Sequence, residues 1–305
     1  MSTQSNAISG LPVETQRPVS GIPATQALYW SIRRELWENR SVYIAPLVVA
    51  FITLFGYLIA TIGRGVATAD PARKAAVFAE PSSFAELLIM GTTFIVAVLY
   101  CLDALHSERR DRSILFWKSL PVSDLTTVLS KASIPIVVLP LLTFAVTLAT
   151  QWIMLLLSSA VLLASGLSPA TLWTQWSLFQ ISMLLFHLLA IHGLYYAPIY
   201  AWLLLVSAWA RRAAFLWAVL PLLAIGVVEK IAFNTTHFAT MVGNRIRGGD
   251  EAPPYPMPDS AAMHHQLTLL NLGRFLISPG LWIGLLLAAA FLAAAVRLRH
   301  SREPI

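Results

Sequence analysis

The chain is poor in charge and almost without cysteine. Aspartate, glutamate, lysine and arginine make up 12% of its 305 residues, where soluble domains carry about a quarter, so packing in water does not account for most of its length. A single cysteine, Cys101, excludes an internal disulfide, and its apolar surroundings mark it as core filler rather than a nucleophile. None of the four lysines follows a glycine, so the G-x-x-x-x-G-K-[ST] phosphate cradle is missing and the chain does not hydrolyse ATP by that route. The G-x-S-x-G and H-E-x-x-H patterns are missing as well, and no pair of carboxylates falls inside an apolar run. No catalytic residue and no metal site is expected. There is also no internal repeat of the kind that builds inverted-repeat carriers.

What is present is hydrophobic length. Apolar residues make up 57% of the chain, and six runs reach the roughly 20 residues that cross a hydrocarbon core of about 30 Å. They cover Val42 to Ile62, Phe84 to Leu105, Ile134 to Leu163, Trp176 to Trp209, Ala213 to Ile231 and Pro279 to Val296. The expected fold class is therefore an all-α membrane protein with six transmembrane helices. The third and fourth runs are longer than a bilayer needs, so they tilt, project beyond the membrane, or break at Pro135, Pro140 and Pro198. A split of the fourth at His192-Gly193 would give seven spans.

The basic residues decide between these layouts. With six spans, 14 of the 21 lysines and arginines share one side with both termini, and the positive-inside rule makes that side cytoplasmic. Seven spans would move Arg211 and Arg212 to the other face. The net charge of +6 does not point to nucleic acid, because the basic residues punctuate the ends of apolar runs rather than forming one face.

Residues 1–23 lack a charged start followed by an apolar core and read as a disordered cytoplasmic tail. Residues 24–41 mix aromatic and charged side chains at helical spacing, with Trp30 and Trp37 suited to the membrane boundary and Arg33 and Arg34 to lipid phosphates. The six-span region then runs over residues 42–305. The tyrosines Tyr195, Tyr196 and Tyr200 in the fourth run are candidates for a substrate path, although aromatic belts facing lipid give the same pattern. Glu229, beside Lys230 at the end of the fifth run, is a candidate for the same path. His187 and His192 fall about 140° apart on a helix, which makes them poor joint metal ligands. His264-His265 reads as solvated surface. Gly280-x-x-x-Gly284 permits close approach of a second copy of the chain. Residues 233–278 form the longest outer segment, in which Pro253, Pro254, Pro256 and Pro258 disfavour helix.

The most informative stretch runs from Leu105 to Lys131 between the second and third apolar runs. From His106 to Asp124 it carries seven formal charges, which packing in lipid does not require. Leu105 to Leu120 reads as an amphipathic helix with Ile114, Leu115, Phe116 and Trp117 apolar and Glu108, Arg109, Asp111 and Arg112 on the wetter surface. Pro121 ends it, and Ser123 or Asp124 can cap the helix that follows. Such a stiff lever suits transmission of motion from a soluble partner, and its basic residues also suit anionic lipid.

The run Glu108-Arg109-Arg110-Asp111-Arg112-Ser113-Ile114-Leu115-Phe116-Trp117-Lys118-Ser119-Leu120-Pro121-Val122-Ser123 resembles the signature between the second and third spans of type-2 ABC transporter permeases. Arg33-Arg34-Glu35-Leu36-Trp37 resembles the connecting helix of the same family. The resemblance implies a permease in the cytoplasmic membrane of a bacterium that pairs with a second copy and docks two ATP-binding subunits. ATP and Mg would be bound by those partners and not by this chain. Residues 105–121 would be the coupling helix, with Glu108 and Arg109 in polar contact with the ATPase. Arg110, Asp111, Arg112 and Lys118 would belong to the same docking surface, and Phe116, Trp117, Leu120 and Pro121 would insert into its cleft. Residues 233–278 would form an external cap. An apolar or amphipathic molecule would be the exported substrate. Two other readings remain open, an ion- or proton-coupled carrier dependent on Glu229, His187 or His192, and a membrane assembly factor that moves nothing.

Overall fold

Every regular element among the described residues is helical. The structure, a computed structural model, describes residues 23–63, 71–110, 123–164, 168, 170, 173, 186, 191–247 and 276–301. Helix α1 (Ala24–Glu38) ends where Asn39 returns both its backbone N–H and its side-chain Nδ2 to the Glu35 carbonyl, at 2.9 and 3.1 Å. Helix α2 (Ser41–Gly63) follows after Asn39 and Arg40. The long α3 (Pro71–Ala104) gives way to the short α4 (His106–Arg110). At that break the Ser207 hydroxyl accepts from the N–H groups of Leu105 and His106 at 3.0 and 2.9 Å, so the interrupted backbone stays satisfied inside the protein.

Helix α5 (Asp124–Ser133) starts from a Ser123 cap, whose hydroxyl accepts from the Thr126 N–H at 3.1 Å. It passes through a π-helical turn, π1 (Ile134–Val138), into α6 (Leu139–Ala164). Pro135 lies in π1. Its missing N–H and its ring do not fit the α-helical ladder, and one wide turn absorbs it without breaking the rod. Helix α5, π1 and α6 thus run as 41 continuous residues, about 60 Å at 1.5 Å per residue, twice a hydrocarbon core.

A second π turn, π2 (Ile191–Tyr195), leads into α7 (Ala197–Trp209). The two wide turns meet at Gly193, where a Cβ would stand 2.7 Å from the Ile136 carbonyl oxygen. Helix α8 (Ala214–Phe233), α9 (His237–Arg247) and α10 (Pro279–Ser301) complete the described elements. Five helical segments are long and apolar enough to cross a membrane, namely Ser41–Thr61, Phe84–Arg110, Asp124–Ala164, Ala214–Phe233 and Pro279–Ser301. Helix α7 is apolar but shorter, and most of the expected fourth run ahead of π2, residues 176–190, lies outside the described residues.

Helix α7 packs along α10; α2, α3 and α6 pack against one another; and α1 lies on α5. The largest buried cluster gathers Val42, Ala97, Tyr100, Cys101, Leu139, Tyr200 and Leu204 from α2, α3, α6 and α7. Large apolar side chains cover much of the outside instead, with Phe51, Phe215, Ile231, Trp282 and Leu286 all exposed. That distribution suits a surface solvated by hydrocarbon.

Candidate functional site

Charge is gathered at one end of the bundle. Helix α1 brings Arg34, Glu35 and Glu38, α4 brings Glu108, α5 brings Asp124 and Lys131, and the last turn of α10 brings Arg299. Glu35 is 1% exposed and Glu108 7%. Lys131 Nζ lies 2.8 Å from Glu35 Oε1 and 3.1 Å from Glu108 Oε1, so one ammonium joins α1 to α4. The Arg299 guanidinium donates through Nη1 to Glu108 Oε2 at 2.5 Å and through Nε to Asp124 Oδ1 at 3.0 Å. Arg34 closes the group at 3.1 Å from Glu35, 3.2 Å from Glu38 and 3.7 Å from Glu108. The Tyr100 hydroxyl donates to Glu35 Oε2 at 3.0 Å.

Within this cluster Glu35, Glu108, Lys131 and Arg299 each have more than one opposite partner. That matters because withdrawing an ion from water costs several kcal/mol, about what a well-formed pair returns. A cluster of this kind adds little net stability, but the loss of one member leaves its partners charged and buried. It therefore fixes how α1, α4, α5 and α10 sit relative to one another. Arg109 adds a further contact, donating through Nη1 to the Ala208 carbonyl at 2.6 Å, where the negative end of the α7 dipole favours a cation.

Of the residues expected in the coupling segment, Glu108 and Arg109 are buried and turned into the bundle, not on the wetter surface where a helical wheel puts them. The wheel fails because Lys131, Arg299 and the end of α7 reach this place from distant parts of the chain. Arg110 is exposed. Asp111, Arg112, Phe116, Trp117, Lys118, Leu120 and Pro121 lie outside the described residues. In α1, Arg33 rests over the rings of Trp30 and Trp37 at 5.1 and 5.9 Å, both rings exposed, while Arg34 and Glu35 belong to the buried cluster.

The remaining candidates sit elsewhere. Phe94, Tyr196 and Tyr200 form one aromatic group with centroids 5.2 to 6.3 Å apart, and Tyr200 is buried in the core rather than in a belt facing lipid. The Arg245 guanidinium covers the Tyr195 ring at 3.9 Å, donating through Nε to the Tyr195 carbonyl and through Nη1 to that of Gly280, each at 2.8 Å. It also fills the place where a Cβ on Gly284 would stand. Gly284 therefore accommodates an arginine of its own chain, and Gly280 faces open space.

Glu229 closes the corner between α8 and α9. Its carboxylate accepts from the N–H groups of His237 and Phe238 at 2.7 and 2.9 Å and from the Thr235 hydroxyl at 2.8 Å, an acidic cap at a helix N-terminus. His187, His264 and His265 lie outside the described residues, as do residues 1–22 and 248–275. Among the described residues no group of three His, Cys, Asp or Glu side chains is placed to hold a metal ion.

Sequence reasoning did not single out Lys131 and Arg299 as partners of Glu108, Asp124 as the second acid on Arg299, or Glu86, which is 3% exposed in α3. For Glu86 the signal was available, since it is a lone acid in the apolar run Phe84-Ala85-Glu86-Leu87-Leu88-Ile89. No protein-family model, curated protein or solved structure matches this chain.

Proposed function

We propose that the chain is the transmembrane subunit of an ATP-driven exporter of the type-2 ABC kind, working with separate ATP-binding subunits. One observation carries the reading. The charged segment between Arg110 and Ser123 is flanked by two acids, Glu108 and Asp124, and both bind the same guanidinium, Arg299. A push delivered to that segment would therefore reach α10 through Arg299 and α1 through Lys131 and Glu35. The cost of stranding one buried charge, about 3–5 kcal/mol, keeps these elements moving together. The exposed Arg110 and the residues up to Pro121 are then the surface that meets the partner.

The layout of the helix ends supports six spans with both termini inside. Helices α3, α7 and α10 finish beside the charge cluster, and α5 begins there, as the contacts of Ser207, Arg109 and Arg299 require. Arg211 and Arg212, in the turn after α7, then share a side with the other cytoplasmic arginines. A single further crossing between α6 and the end of α7 completes this arrangement. An apolar or amphipathic substrate fits the mostly uncharged spans.

The test is purification of the tagged chain from its host in mild detergent, with identification of stoichiometric partners and an ATPase assay. Trp117→Ala is the docking variant of choice, because Glu108→Ala would disturb the buried cluster as well. An ATP-binding subunit in equal amount, lost or uncoupled in Trp117→Ala, supports the permease. A clean preparation without such a subunit removes it and leaves the carrier reading, for which Glu86 is the intramembrane acid to examine.

A further inference from the structure

Arg245 is a half-buried cation that meets no acid among the described residues. Its guanidinium stacks over the Tyr195 ring at 3.9 Å and donates through Nε to the Tyr195 carbonyl and through Nη1 to that of Gly280. Nη2 is buried and has no acceptor. A ring face and two carbonyls are neutral partners. In the charge cluster, by contrast, Arg34, Lys131 and Arg299 each meet at least two carboxylates.

Its depth makes the missing charge matter. The guanidinium lies in the place that a Cβ on Gly284 would take, and from there α10 is uncharged as far as Arg297. That stretch is about 20 Å long at 1.5 Å per residue, against roughly 30 Å for a hydrocarbon core. Counted from Arg297, where the apolar run ends, Arg245 stands at membrane depth in the half away from the charge cluster. An ionised side chain at such a level is costly and points to function. One edge of it is reachable. Gly280, which accepts from Nη1, is exposed and has nothing within 4 Å of its Cβ position. Ile283 and Leu287, both exposed, continue the same face of α10 toward the membrane centre.

We propose that Arg245 binds the acidic head of an amphiphile, a carboxylate or a phosphate, beside Gly280, with the apolar chain of the ligand along Ile283 and Leu287. A guanidinium carries five N–H donors in a planar fork that matches the paired oxygens of such heads. Two of the five are used here, and Nη1, the nitrogen at the exposed glycine, spends only one of its two on Gly280. Opposite charges attract more strongly in a medium of low dielectric than in water, so the head supplies the charge that Tyr195 and the carbonyls do not. A bare anion would lose its hydration on the way in, whereas an apolar chain gains by leaving water. Under the exporter reading the amphiphile is the cargo. Only that naming rests on the reading, since occupancy of Arg245 needs no ATP-binding partner.

The experiment is thermal unfolding of the purified full chain in dodecyl maltoside at fixed, mildly alkaline pH. The acidic probes are phosphatidylglycerol and dodecanoate, and phosphatidylcholine and dodecanol are their counterparts without net charge. A ligand of the folded state raises the unfolding temperature in a saturable way. The expected result is a rise of a few degrees with an acidic probe and none with its counterpart. A response to phosphatidylglycerol assigns the head to a membrane lipid, and one to dodecanoate alone assigns it to a single-chain amphiphile. The rise is absent in Arg245→Met and in Gly280→Leu, and retained in Arg40→Ala, which removes an exposed arginine elsewhere. Gly280→Leu fills the open space and leaves the guanidinium its contacts, so it decides the matter should Arg245→Met fold poorly. Because the increment is read and not the starting temperature, loosening of α9 alone does not imitate the result. No rise with either acidic probe, an equal rise with the counterparts, a rise that survives in either site variant, or one that also disappears in Arg40→Ala would overturn the site. No ATP-binding subunit is in the assay, so failure of this site and failure of the exporter reading are separate results.

Discussion

Arg299 and Glu108, 191 residues apart in sequence, are joined by a 2.5 Å hydrogen bond between the last turn of α10 and the start of the charged segment. The same guanidinium holds Asp124 on the far side of that segment. The end of the last described helix is thereby a structural member of the region between the second and third apolar runs.

Arg299→Leu leaves the buried Glu108 with Lys131 and Arg34 alone and takes the guanidinium from the half-buried Asp124. The expected cost is about 3–5 kcal/mol of folding stability, read as a lowered midpoint in thermal or denaturant unfolding of the micelle-bound chain. Arg299→Lys keeps the charge but cannot hold both acids with one planar fork, so an intermediate loss is expected.

Gly193→Ala places a methyl group 2.7 Å from the Ile136 carbonyl oxygen, at the contact between the two π turns. Backbone on both sides must shift, which costs about 1–3 kcal/mol. Gly56→Ala is the contrast, because nothing lies within 4 Å of its Cβ position, and the better helix propensity of alanine makes a gain of up to about 1 kcal/mol the expected result.

Gly284→Ala displaces the Arg245 guanidinium and should loosen α9, whereas Gly280→Ala meets nothing. Faster amide exchange across Met241 to Arg247 in the first variant, and none in the second, is the expected outcome. Were the two glycines a seam between copies of the chain, both variants would instead weaken dimerisation, measurable by light scattering in detergent.

Glu229→Gln removes the charge that caps α9. A loss of about 0.5–2 kcal/mol confined to that helix is expected, seen as faster exchange at the His237 and Phe238 amides, with the membrane helices unaffected. A loss of transport together with intact α9 protection would return Glu229 to the substrate path.

The positions of five of the apolar runs were legible because a span announces itself through composition alone. Val42 to Ile62 and Pro279 to Val296 fall within a few residues of α2 and α10. The cap after Pro121 was legible as Ser123 or Asp124, and the Ser123 hydroxyl takes the role. The fate of Pro135 was not, because whether a proline breaks a helix or is absorbed in a π turn depends on what packs beside it, in this case Gly193. Glu229 looked like half of a membrane pair with Lys230, and only the return of α9 showed its carboxylate facing backbone N–H groups.

The sequence by itself determined that the chain is helical and apolar enough for a membrane, and that its basic residues stand mostly at the ends of apolar runs. These properties follow from transfer free energy, which each residue carries wherever it stands. The tertiary structure alone decided which charged groups are solvated. Glu35, Glu108, Lys131 and Arg299 resemble surface residues in any local window, yet they are buried because helices distant in sequence bring opposite charges to the same point. Likewise Thr147 and Gln151 look ordinary in an apolar run, and only the packed helices leave the Thr147 hydroxyl and Gln151 Oε1 buried without a hydrogen-bond partner.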